Sequence, residues 1–464
     1  MASEGSGDSA STSGRPSFVS AALLTYGTNL VVAFLSLINV LVVSRTLGPV
    51  GRGDVVFLTA IAWLVSNLST VGVQEANANL GGAEPRLRRA LATNSILFAC
   101  LFGALAAGSL TLLIALIPAV GGDSELGLRT LTFASLPVLI LAVYLRFLAQ
   151  ADYGFRVTNA AWLITPVANV TVNGLLAALG WLSVATAVST WIAGQVLGTA
   201  LLAWYVGRRL AGFGRPDLGL ARRTVWFGVK AHAGRVMLLG NYRLDQWILG
   251  AVSGSRELGL YSVAVAWAEA LWQLPTALAA VQRPDVVRAS AREAARQAAT
   301  AFRAATAVTL VLAVVFVAAA PTLCVTFFGE SFRGSIDDLR VLVTGAVGVV
   351  ALKQLGSVLT GQSKPTLASA AIGISFVATV VLDVALIPSY GGLGAAIASS
   401  VSYTVGGIAV AVIFARTLGG GLGDLVPRRS DLPLLWSRLR AVLRKPAGPG
   451  AGEIPVESAE ELTS

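Results

Sequence analysis

The chain has 464 residues, of which 55% are hydrophobic and only 12% are charged, and its mean hydropathy is +0.74. Soluble domains carry about 25% charged residues, so the composition excludes a soluble protein and indicates an integral membrane protein. The net charge of +10 does not indicate nucleic-acid binding here, because the basic residues collect on one side of the predicted membrane helices.

Apolar runs of about 20 residues recur along the chain and have the length that a membrane-spanning helix requires. Bounded by Gly, Pro and charge clusters, the first six predicted helices cover 18–44, 54–78, 93–118, 128–149, 158–179 and 182–206. A second six cover 229–251, 259–281, 301–324, 338–360, 366–388 and 393–415. The sequence therefore predicts an all-α integral membrane protein with twelve transmembrane helices, six in an N-lobe (18–206) and six in a C-lobe (229–416).

Three polar segments flank these lobes. Residues 1–17 are rich in Ser and Gly and lack a basic stretch, which predicts a disordered cytoplasmic tail and not a signal peptide. Residues 207–228 carry five arginines and predict a basic linker along the cytoplasmic face. Residues 417–464 predict a cytoplasmic C-terminal tail with an amphipathic helix at 431–445 and an acidic end.

Lys and Arg in the short loops set the orientation. The loops on one side hold seventeen of them and the opposite loops hold six. Because cytoplasmic loops carry the excess of basic residues, both termini are predicted to be cytoplasmic.

A weak internal repeat relates the two lobes. An offset of 206 places Gly48 on Gly254, Gly53 on Gly259 and Asn39 on Asp245. Corresponding helices would run in the same direction, which predicts a parallel repeat with two pseudo-symmetric lobes around a central cavity.

Ionisable residues inside the predicted helices are the main functional signal. A charged side chain at that depth costs about 2.5–3.5 kcal/mol on insertion scales, so such residues face a bundle interior or a wet cavity. The candidates are Arg235, Arg243, Asp245, Glu269 and Lys353. We interpret them as cavity-lining, with a paired structural charge as the alternative. Arg45, Arg146, Lys230 and Asp383 lie near predicted helix ends, where snorkelling to the headgroups explains them.

Uncharged polar residues add to this set. Trp63, Asn67, Thr70 and Gln74 share one face of the second predicted helix, and Ser262, Glu269, Gln273 and Thr276 share one face of the eighth. Hydrogen bonding between membrane helices is the alternative for the uncharged ones. The uncharged candidates for the cavity are Asn39, Asn67, Gln74, Gln246 and Gln273.

Several kinds of chemistry find no support. No Lys follows a Gly in a phosphate-binding loop pattern, and the loops are too short for a catalytic domain. His232 is the only histidine, and Cys100 and Cys324 are the only cysteines. We therefore predict no ATPase, no enzyme activity, no cofactor and no metal site.

Three segments carry a family resemblance: SRTLGPVGRGDV at 44–55, RLDQWILGAVSGSRELGLYSVA at 243–264, and the pair LTGQSKPTL at 359–367 and LIPSYGGLGAAIASSVSY at 386–403. In this order they resemble the lipid-linked oligosaccharide flippases, the polysaccharide transport branch of the multidrug, oligosaccharidyl-lipid and polysaccharide exporter superfamily. The resemblance covers about 18–416 and departs from the family in the long tails and in Arg52 and Asp54 around Gly53.

The resemblance implies alternating access that moves a polyprenyl-diphosphate-linked glycan to the outer leaflet of the cell membrane. Arg235, Arg243 and Lys353 would neutralise phosphate, and amide side chains would bind sugar hydroxyls. Asp245 and Glu269 would balance charge or bind a coupling cation. Expected partners are the lipid-linked glycan and membrane lipids, with a glycan polymerase and glycosyltransferases as further candidates and no nucleic acid.

Two alternatives remain open. A cation-coupled drug or metabolite exporter of the same superfamily would need a more apolar and acidic cavity, which the cavity Arg and Lys do not favour. A non-transporting membrane scaffold for glycan assembly would act through the basic linker and the tails.

Overall fold

A computed structural model of the chain describes residues 18–426 apart from 123, 211, 289 and 420, together with residue 428. Within those residues the regular secondary structure is helical, which confirms the predicted all-α class. The predicted tail at 1–17 and the predicted amphipathic helix at 431–445 lie outside the described residues.

Seven α-helices make up the first half of the chain. They are α1 Phe18–Leu68, α2 Val73–Ala83, α3 Arg88–Leu116, α4 Leu126–Ala134, α5 Leu136–Ala151, α6 Phe155–Ala178 and α7 Val184–Arg209. Short 3-10 turns at Pro85–Leu87 and Pro118–Gly121 precede and follow α3.

The second half contains α8 Leu218–Val252, α9 Gly254–Arg288, α10 Ala291–Pro321, α11 Ser335–Thr344, α12 Ala346–Gly361 and α13 Pro365–Leu418. A π-helical turn at Thr322–Thr326 extends α10, and 3-10 turns lie at Glu330–Phe332 and Leu422–Leu425. Asp217 begins α8, since its Oδ1 accepts the N–H of Leu220 at 2.9 Å.

Helix α1 contains two helical arms that meet at Gly48, which has φ 67° and ψ −174°. Asn29 on the first arm and Trp63 on the second line the same cavity. A straight helix rises about 1.5 Å per residue and would hold them roughly 50 Å apart, so the chain must turn back at Gly48. A positive φ is open to glycine at little steric cost. The loop predicted between 44 and 54 is thus a turn at one glycine.

Helix α13 is built in the same way around Gly391, with φ 54° and ψ −131°. Ser375 Oγ donates to the carbonyl of Ser402 at 2.9 Å across the two arms, which a straight helix would not allow. Here too the sequence predicts that the chain reverses, but the predicted loop is too long, because the reversal takes place at a single residue.

Other predicted boundaries also shift. The second predicted helix, 54–78, is broken at 69–72, where Val71 and Gly72 have φ of 49° and 73°. Among the described residues of the predicted linker 207–228, those outside a helix are 210 and 212–217, and Arg222 and Arg223 lie on α8. The turn predicted at 253–258 shrinks to Ser253 with Gly254, whose φ is 83°.

Seven helical segments among the described residues are long and apolar enough to cross a membrane, and an eighth is obtained if the pair α11 and α12, bent by 42°, counts as one. Both hairpins, α1 and α13, are among the seven. Helices α8 and α9 are not, although each has 35 residues.

Each half contains a pair of helices that pack side by side, and the two pairs are equivalent: α1 with α6, and α8 with α13. On α1 and α6, the Asn159 side chain donates to Thr25 Oγ1 and Asn173 donates to Asn39 Oδ1, both across 134 residues. On α8 and α13, Asn241 donates to Ser375 Oγ and Ser253 donates to the carbonyl of Ile387, again across 134 residues. A constant separation at two points means that each pair of helices runs parallel.

The halves also cross each other reciprocally. A Cβ on Gly53 would lie 1.7 Å from the carbonyl oxygen of Ser255, and a Cβ on Gly259 would lie 1.9 Å from that of Pro49. The repeat offset relates Gly53 to Gly259 and Pro49 to Ser255. The equivalent glycine of each half therefore contacts the equivalent residue of the other half. Only glycine permits this backbone approach.

Candidate functional site

A central cavity of about 740 Å³ lies between the two halves of the chain. Both arms of α1 form one wall and α9 forms the facing wall, while α6 and α7 contribute one side chain each and α8 contributes two. Leu30 and Phe34 line it and are 41% and 64% exposed, so the cavity has an apolar mouth on the α1 side.

Arg243 and Glu269 form an ion pair in this cavity. Arg243 Nη2 lies 2.8 Å from Glu269 Oε1, and the side chains are 28% and 36% exposed. The guanidinium also lies 5.9 Å from the centroid of the Trp63 ring. This pair joins α8 to α9, and it keeps both charges accessible to a molecule in the cavity.

Arg52 is a second cationic group in the cavity lining. Its position in the chain predicts an outer loop, but the residue is only 9% exposed. Arg52 Nε donates to Ser262 Oγ at 3.1 Å, and Ser262 in turn donates to the carbonyl of Gly259 at 2.8 Å. The turn at Gly48 leaves no loop in which Arg52 could reach solvent, so the side chain points inward.

Aromatic and amide side chains complete the lining. Trp63, Trp162 and Trp191 come from α1, α6 and α7. Asn29, Gln246 and Gln273 supply amide donors and acceptors. The cavity therefore combines guanidinium groups, amides and flat aromatic faces, a set that can hold a polar, anionic molecule with ring-shaped parts.

Asp245 does not line this cavity, contrary to the prediction. It is 3% exposed and accepts hydrogen bonds from Tyr261 Oη at 2.5 Å, Ser399 Oγ at 3.2 Å and the N–H of Gln246 at 2.8 Å. These donors satisfy a buried carboxylate well. Asp245 belongs to a separate polar cluster between α8, α9 and α13.

Asp383 belongs to the same cluster, so the prediction that it snorkels to the headgroups is wrong. Its place near a helix end suggests snorkelling, but it is 0% exposed because α13 packs against α8. Neither carboxylate oxygen has a hydrogen-bond partner among the described residues, and Asp245 is the charged neighbour that acts on it. The neighbouring Thr379 and Ser375 are both committed to Asn241.

Arg235 and Asn67 come together at one end of the cavity, but neither belongs to its lining. Arg235 Nη2 donates to Asn67 Oδ1 at 3.3 Å, and Nη1 lies 3.6 Å from Glu75 Oε1. Beside them His232 Nε2 lies 2.8 Å from the carbonyl of Leu68. These contacts join the end of α1 and the start of α2 to α8, far along α1 from Gly53.

The remaining candidates divide among different surroundings. Asn39 Oδ1 accepts a hydrogen bond from Asn173 at 2.8 Å, as the alternative of hydrogen bonding between helices predicts. Gln74 is 0% exposed and both its amide atoms lack a hydrogen-bond partner among the described residues. Lys353 is outside the cavity lining, although Glu269 acts on it electrostatically.

The structure thus places four predicted residues in the cavity: Arg243, Gln246, Glu269 and Gln273. Sequence reasoning missed Arg52, Asn29, Trp162 and Trp191. Trp63 shares the predicted polar face with Asn67 and Gln74, but the helix breaks at 69–72. Trp63 and Asn67 therefore lie on α1 and Gln74 lies on α2, so the three do not share one face. No signal in the sequence marks Trp162 or Trp191, since tryptophan is common at membrane interfaces.

Comparison with known proteins gives one family and one fold. The family model described as "Polysaccharide biosynthesis protein" matches residues 42–337. A comparison with curated protein sequences finds no match.

Among solved structures, lipid II flippase MurJ in an inward closed conformation superposes with a TM-score of 0.71 at 13% identity, over 90% of this chain and 93% of that one. An inward-facing multidrug resistance MATE family transporter of the MOP superfamily gives 0.66 at 14% identity, over 86% and 98%. The outward-facing conformation of such a transporter gives 0.59 at 12%, over 86% and 95%. At these identities the structures establish a shared fold.

Proposed function

This chain belongs to the polysaccharide biosynthesis protein family, and we propose that it is a flippase that moves a polyprenyl-diphosphate-linked oligosaccharide or polysaccharide precursor across the cell membrane by alternating access. The family match and the transporter-like fold support a flippase-type transporter, as the resemblance in the sequence indicates. The substrate class and the alternating motion are the proposal. The lipid-linked glycan and membrane lipids are its partners, and a glycan polymerase and glycosyltransferases would work beside it.

The central cavity carries this proposal. A sugar diphosphate bears negative charge and many hydroxyls, so it does not cross hydrocarbon unaided. Arg52 and Arg243 both line the cavity, and Glu269 pairs with only one of them. A guanidinium binds phosphate through paired, charge-assisted hydrogen bonds. The cavity therefore suits an anionic headgroup better than a cationic drug.

Neutral lining groups suit the glycan part of such a substrate. The amides of Gln246 and Gln273 can donate to and accept from hydroxyl groups. The Trp63, Trp162 and Trp191 rings offer apolar faces against which the C–H faces of sugar rings pack. The exposed side chains of Leu30 and Phe34 at the mouth would let the polyprenyl chain remain in the lipid while the headgroup enters.

We infer twelve spans in two pseudo-symmetric lobes, 18–206 and 229–416. The hairpins α1 and α13 would each span twice, the pairs α4 with α5 and α11 with α12 would each span once, and α3, α6, α7, α8, α9 and α10 would each span once. The parallel packing of α1 on α6 and of α8 on α13 supports the repeat. Basic residues around 86–89, 208–223 and 292–303 favour cytoplasmic loops there and cytoplasmic termini.

Energy for directed transport would enter through Asp245 and Asp383. A bare carboxylate at the depth of Asp383, with no hydrogen-bond donor, is costly, so it should bind a proton or a monovalent cation. The Asp245 carboxylate beside it would share that positive charge. A gradient of the ion, or removal of the flipped lipid by later enzymes, would then set the direction.

The experiment is an assay of leaflet accessibility of the lipid-linked glycan in cells depleted of this protein and complemented with variants. We expect the precursor to accumulate facing the cytoplasm, and we expect wild type to restore export. Arg52→Gln and Arg243→Gln should fail to restore it at normal membrane levels. Arg333→Gln is the matched control, because that arginine is 69% exposed and pairs with the exposed Glu330.

The outcomes separate the alternatives. If the precursor reaches the outer face without the protein, the flippase proposal is wrong, and export of a drug or metabolite becomes the next hypothesis. If both cavity variants restore export as wild type does, the cavity does not carry the substrate and a scaffold is favoured. Deleting the whole segment 207–227 would not test the scaffold cleanly, since α8 begins at Leu218.

A further inference from the structure

Arginine side chains gather in a second pocket, of about 560 Å³, far along the chain from the central cavity. The first turns of α10 form one side, and the end of α13 with the turn at Leu422–Leu425 forms the other. Its basic lining residues are Arg292, Arg296, Arg303 and Arg428. Asp424 is the acidic residue in the lining, so the pocket carries an excess of positive charge.

Asp424 holds one side of this arginine pocket in place. Its carboxylate accepts from Arg428 Nη2 at 3.1 Å and from the N–H of Gly421 at 3.2 Å. Its main-chain carbonyl accepts from Arg303 Nη1 at 2.7 Å. Two of the guanidinium groups are therefore fixed by the turn after α13, while Arg292 and Arg296 project from α10 and are exposed.

The arginine face of α10 continues as an apolar face. At about 100° per residue, Arg292, Arg296 and Arg303 fall within about 60° of Leu310, Val314 and Val317. These three apolar side chains are 47%, 70% and 36% exposed. Nothing in the described part of the chain covers them, and in a membrane helix such a face meets the acyl chains of lipids.

We propose that the arginine pocket binds the phosphate headgroup of an anionic phospholipid whose acyl chains lie along the exposed face of α10. The charged turns of α10 end at Arg303, after which residues 304–320 carry no charge, so the pocket lies at the depth of the headgroups. Guanidinium groups match the phosphate, and the apolar stripe matches the chains. A free phosphate would use the arginines alone.

This lipid site is independent of the proposed flippase function, since the two pockets share no lining residue. Each arginine near an anionic surface contributes about 1 kcal/mol to lipid attraction. Removing two of them from a built pocket should therefore weaken binding of an anionic lipid by about tenfold or more.

The test measures phosphatidylglycerol and phosphatidylcholine retained by the purified full chain in native mass spectrometry. We expect wild type to retain phosphatidylglycerol selectively, and Arg292→Gln with Arg296→Gln to lose about tenfold in retention. The control pair Arg208→Gln with Arg209→Gln removes the same charge from the same predicted side of the membrane and should retain the lipid. Size-exclusion profiles show that each variant is folded.

A third variant separates a lipid from a free phosphate. Leu310→Ala with Val314→Ala should weaken retention of phosphatidylglycerol and leave binding of inorganic pyrophosphate unchanged. If pyrophosphate binds at the arginines and the alanine variant retains phosphatidylglycerol as wild type does, the pocket is a site for a free anion. If both arginine pairs lose the lipid equally, the attraction is general surface charge. Either result overturns the proposal.

Discussion

Arg243 and Glu269 fix the chemistry of the central cavity, because each charge compensates the other while no substrate is present. At 2.8 Å the pair makes a charge-assisted hydrogen bond, but neither side chain is fully buried. An incoming diphosphate can therefore compete with Glu269 for the guanidinium. A group that exchanges partners in this way favours release as well as binding.

Changing one member of this pair should have opposite effects from changing the other. Arg243→Gln removes the anion-binding group and leaves the Glu269 charge to repel phosphate, so we expect export of the glycan precursor to fall at least about tenfold. Glu269→Gln frees the guanidinium, so substrate should be retained more strongly and released more slowly. Binding of a lipid diphosphate to purified protein, measured beside export in cells, checks both.

The control for this prediction is Arg243→Lys, which keeps the charge but not the planar fork. An intermediate export rate is expected, since Lys binds phosphate as a point charge. Equal losses in the Gln and Lys variants would mean that the forked geometry matters and not the charge. Full activity of Arg243→Gln would contradict the assignment of the cavity.

Replacing Asp383 should change transport without lowering stability. Its buried carboxylate lacks a hydrogen-bond donor among the described residues, so Asp383→Asn should leave the melting temperature unchanged or raise it. The same variant should lose the dependence of transport on a proton or cation gradient. Thermal unfolding in detergent and transport in vesicles with and without the gradient measure the two effects.

Asp245→Asn is the matched comparison in the same cluster. That carboxylate accepts three hydrogen bonds, so its replacement should lower the melting temperature. If Asp383→Asn destabilises as much as Asp245→Asn, Asp383 has a structural role and is not the ion-binding group.

Some of these residues are predictable from sequence and others are not. Charge at membrane depth identifies Arg243 and Glu269, because its cost excludes lipid exposure whatever the packing. Asp383 is misread because its distance from a helix end does not tell which neighbour covers that end. Arg52 is misread for a related reason: a glycine turn replaces the expected loop and points the side chain inward.

At the scale of helices, the sequence predicts where the chain reverses but not how tightly. Gly48 and Gly391 each make the reversal with one positive φ, where a run of Gly and Pro suggests a loop of several residues. Helix breaks at 69–72 and at Gly345 escape prediction, since neither break contains a proline or a charged residue. Hydropathy measures burial in lipid and does not report the backbone angle at a single glycine.

The reciprocal glycines at the crossing of α1 and α9 should be equally intolerant of a side chain. Gly53→Ala and Gly259→Ala each place a methyl group within 2 Å of a carbonyl oxygen of the other half, so the two helices must separate. Each variant should lower the melting temperature by several degrees, because the backbone that they meet cannot move aside. Thermal unfolding in detergent measures both.

Gly27→Ala is the control for the crossing. It lies on α1, and nothing lies within 4 Å of its added Cβ. Because alanine favours a helix over glycine by up to about 1 kcal/mol, this variant should be neutral or slightly stabilising. If Gly27→Ala lowers the melting temperature as much as Gly53→Ala does, the close backbone approach at the crossing is not the cause of the loss.

Across the whole molecule, the two halves touch at both ends of the central cavity. At one end Gly53 and Gly259 meet Ser255 and Pro49, and the Asp54 carboxylate accepts from Ser255 Oγ. At the other end a Cβ on Gly72 would lie 2.1 Å from the carbonyl of Gly228. Alternating access requires these two sets of contacts to open in turn.

Cross-linking at either end should therefore stop transport. The pair Leu68→Cys with His232→Cys lies at one end, where the His232 ring lies 2.8 Å from the Leu68 carbonyl. The pair Asp54→Cys with Ser255→Cys lies at the other. A short, cleavable bifunctional thiol reagent should abolish glycan export in both, and cleavage should restore it. Cys100 is exposed and is replaced by Ser in the background, whereas Cys324 is buried and can stay.

Single-cysteine variants treated with the same reagent are the controls, and they should export normally, since one thiol cannot join the halves. A block at only one end would mean that the other contact stays closed throughout the cycle, so substrate would leave sideways through the mouth at Leu30 and Phe34. Normal export with both ends joined would exclude a rocking motion of the two halves. Only a block at each end, reversed by cleavage, agrees with a cavity that opens first to one leaflet and then to the other.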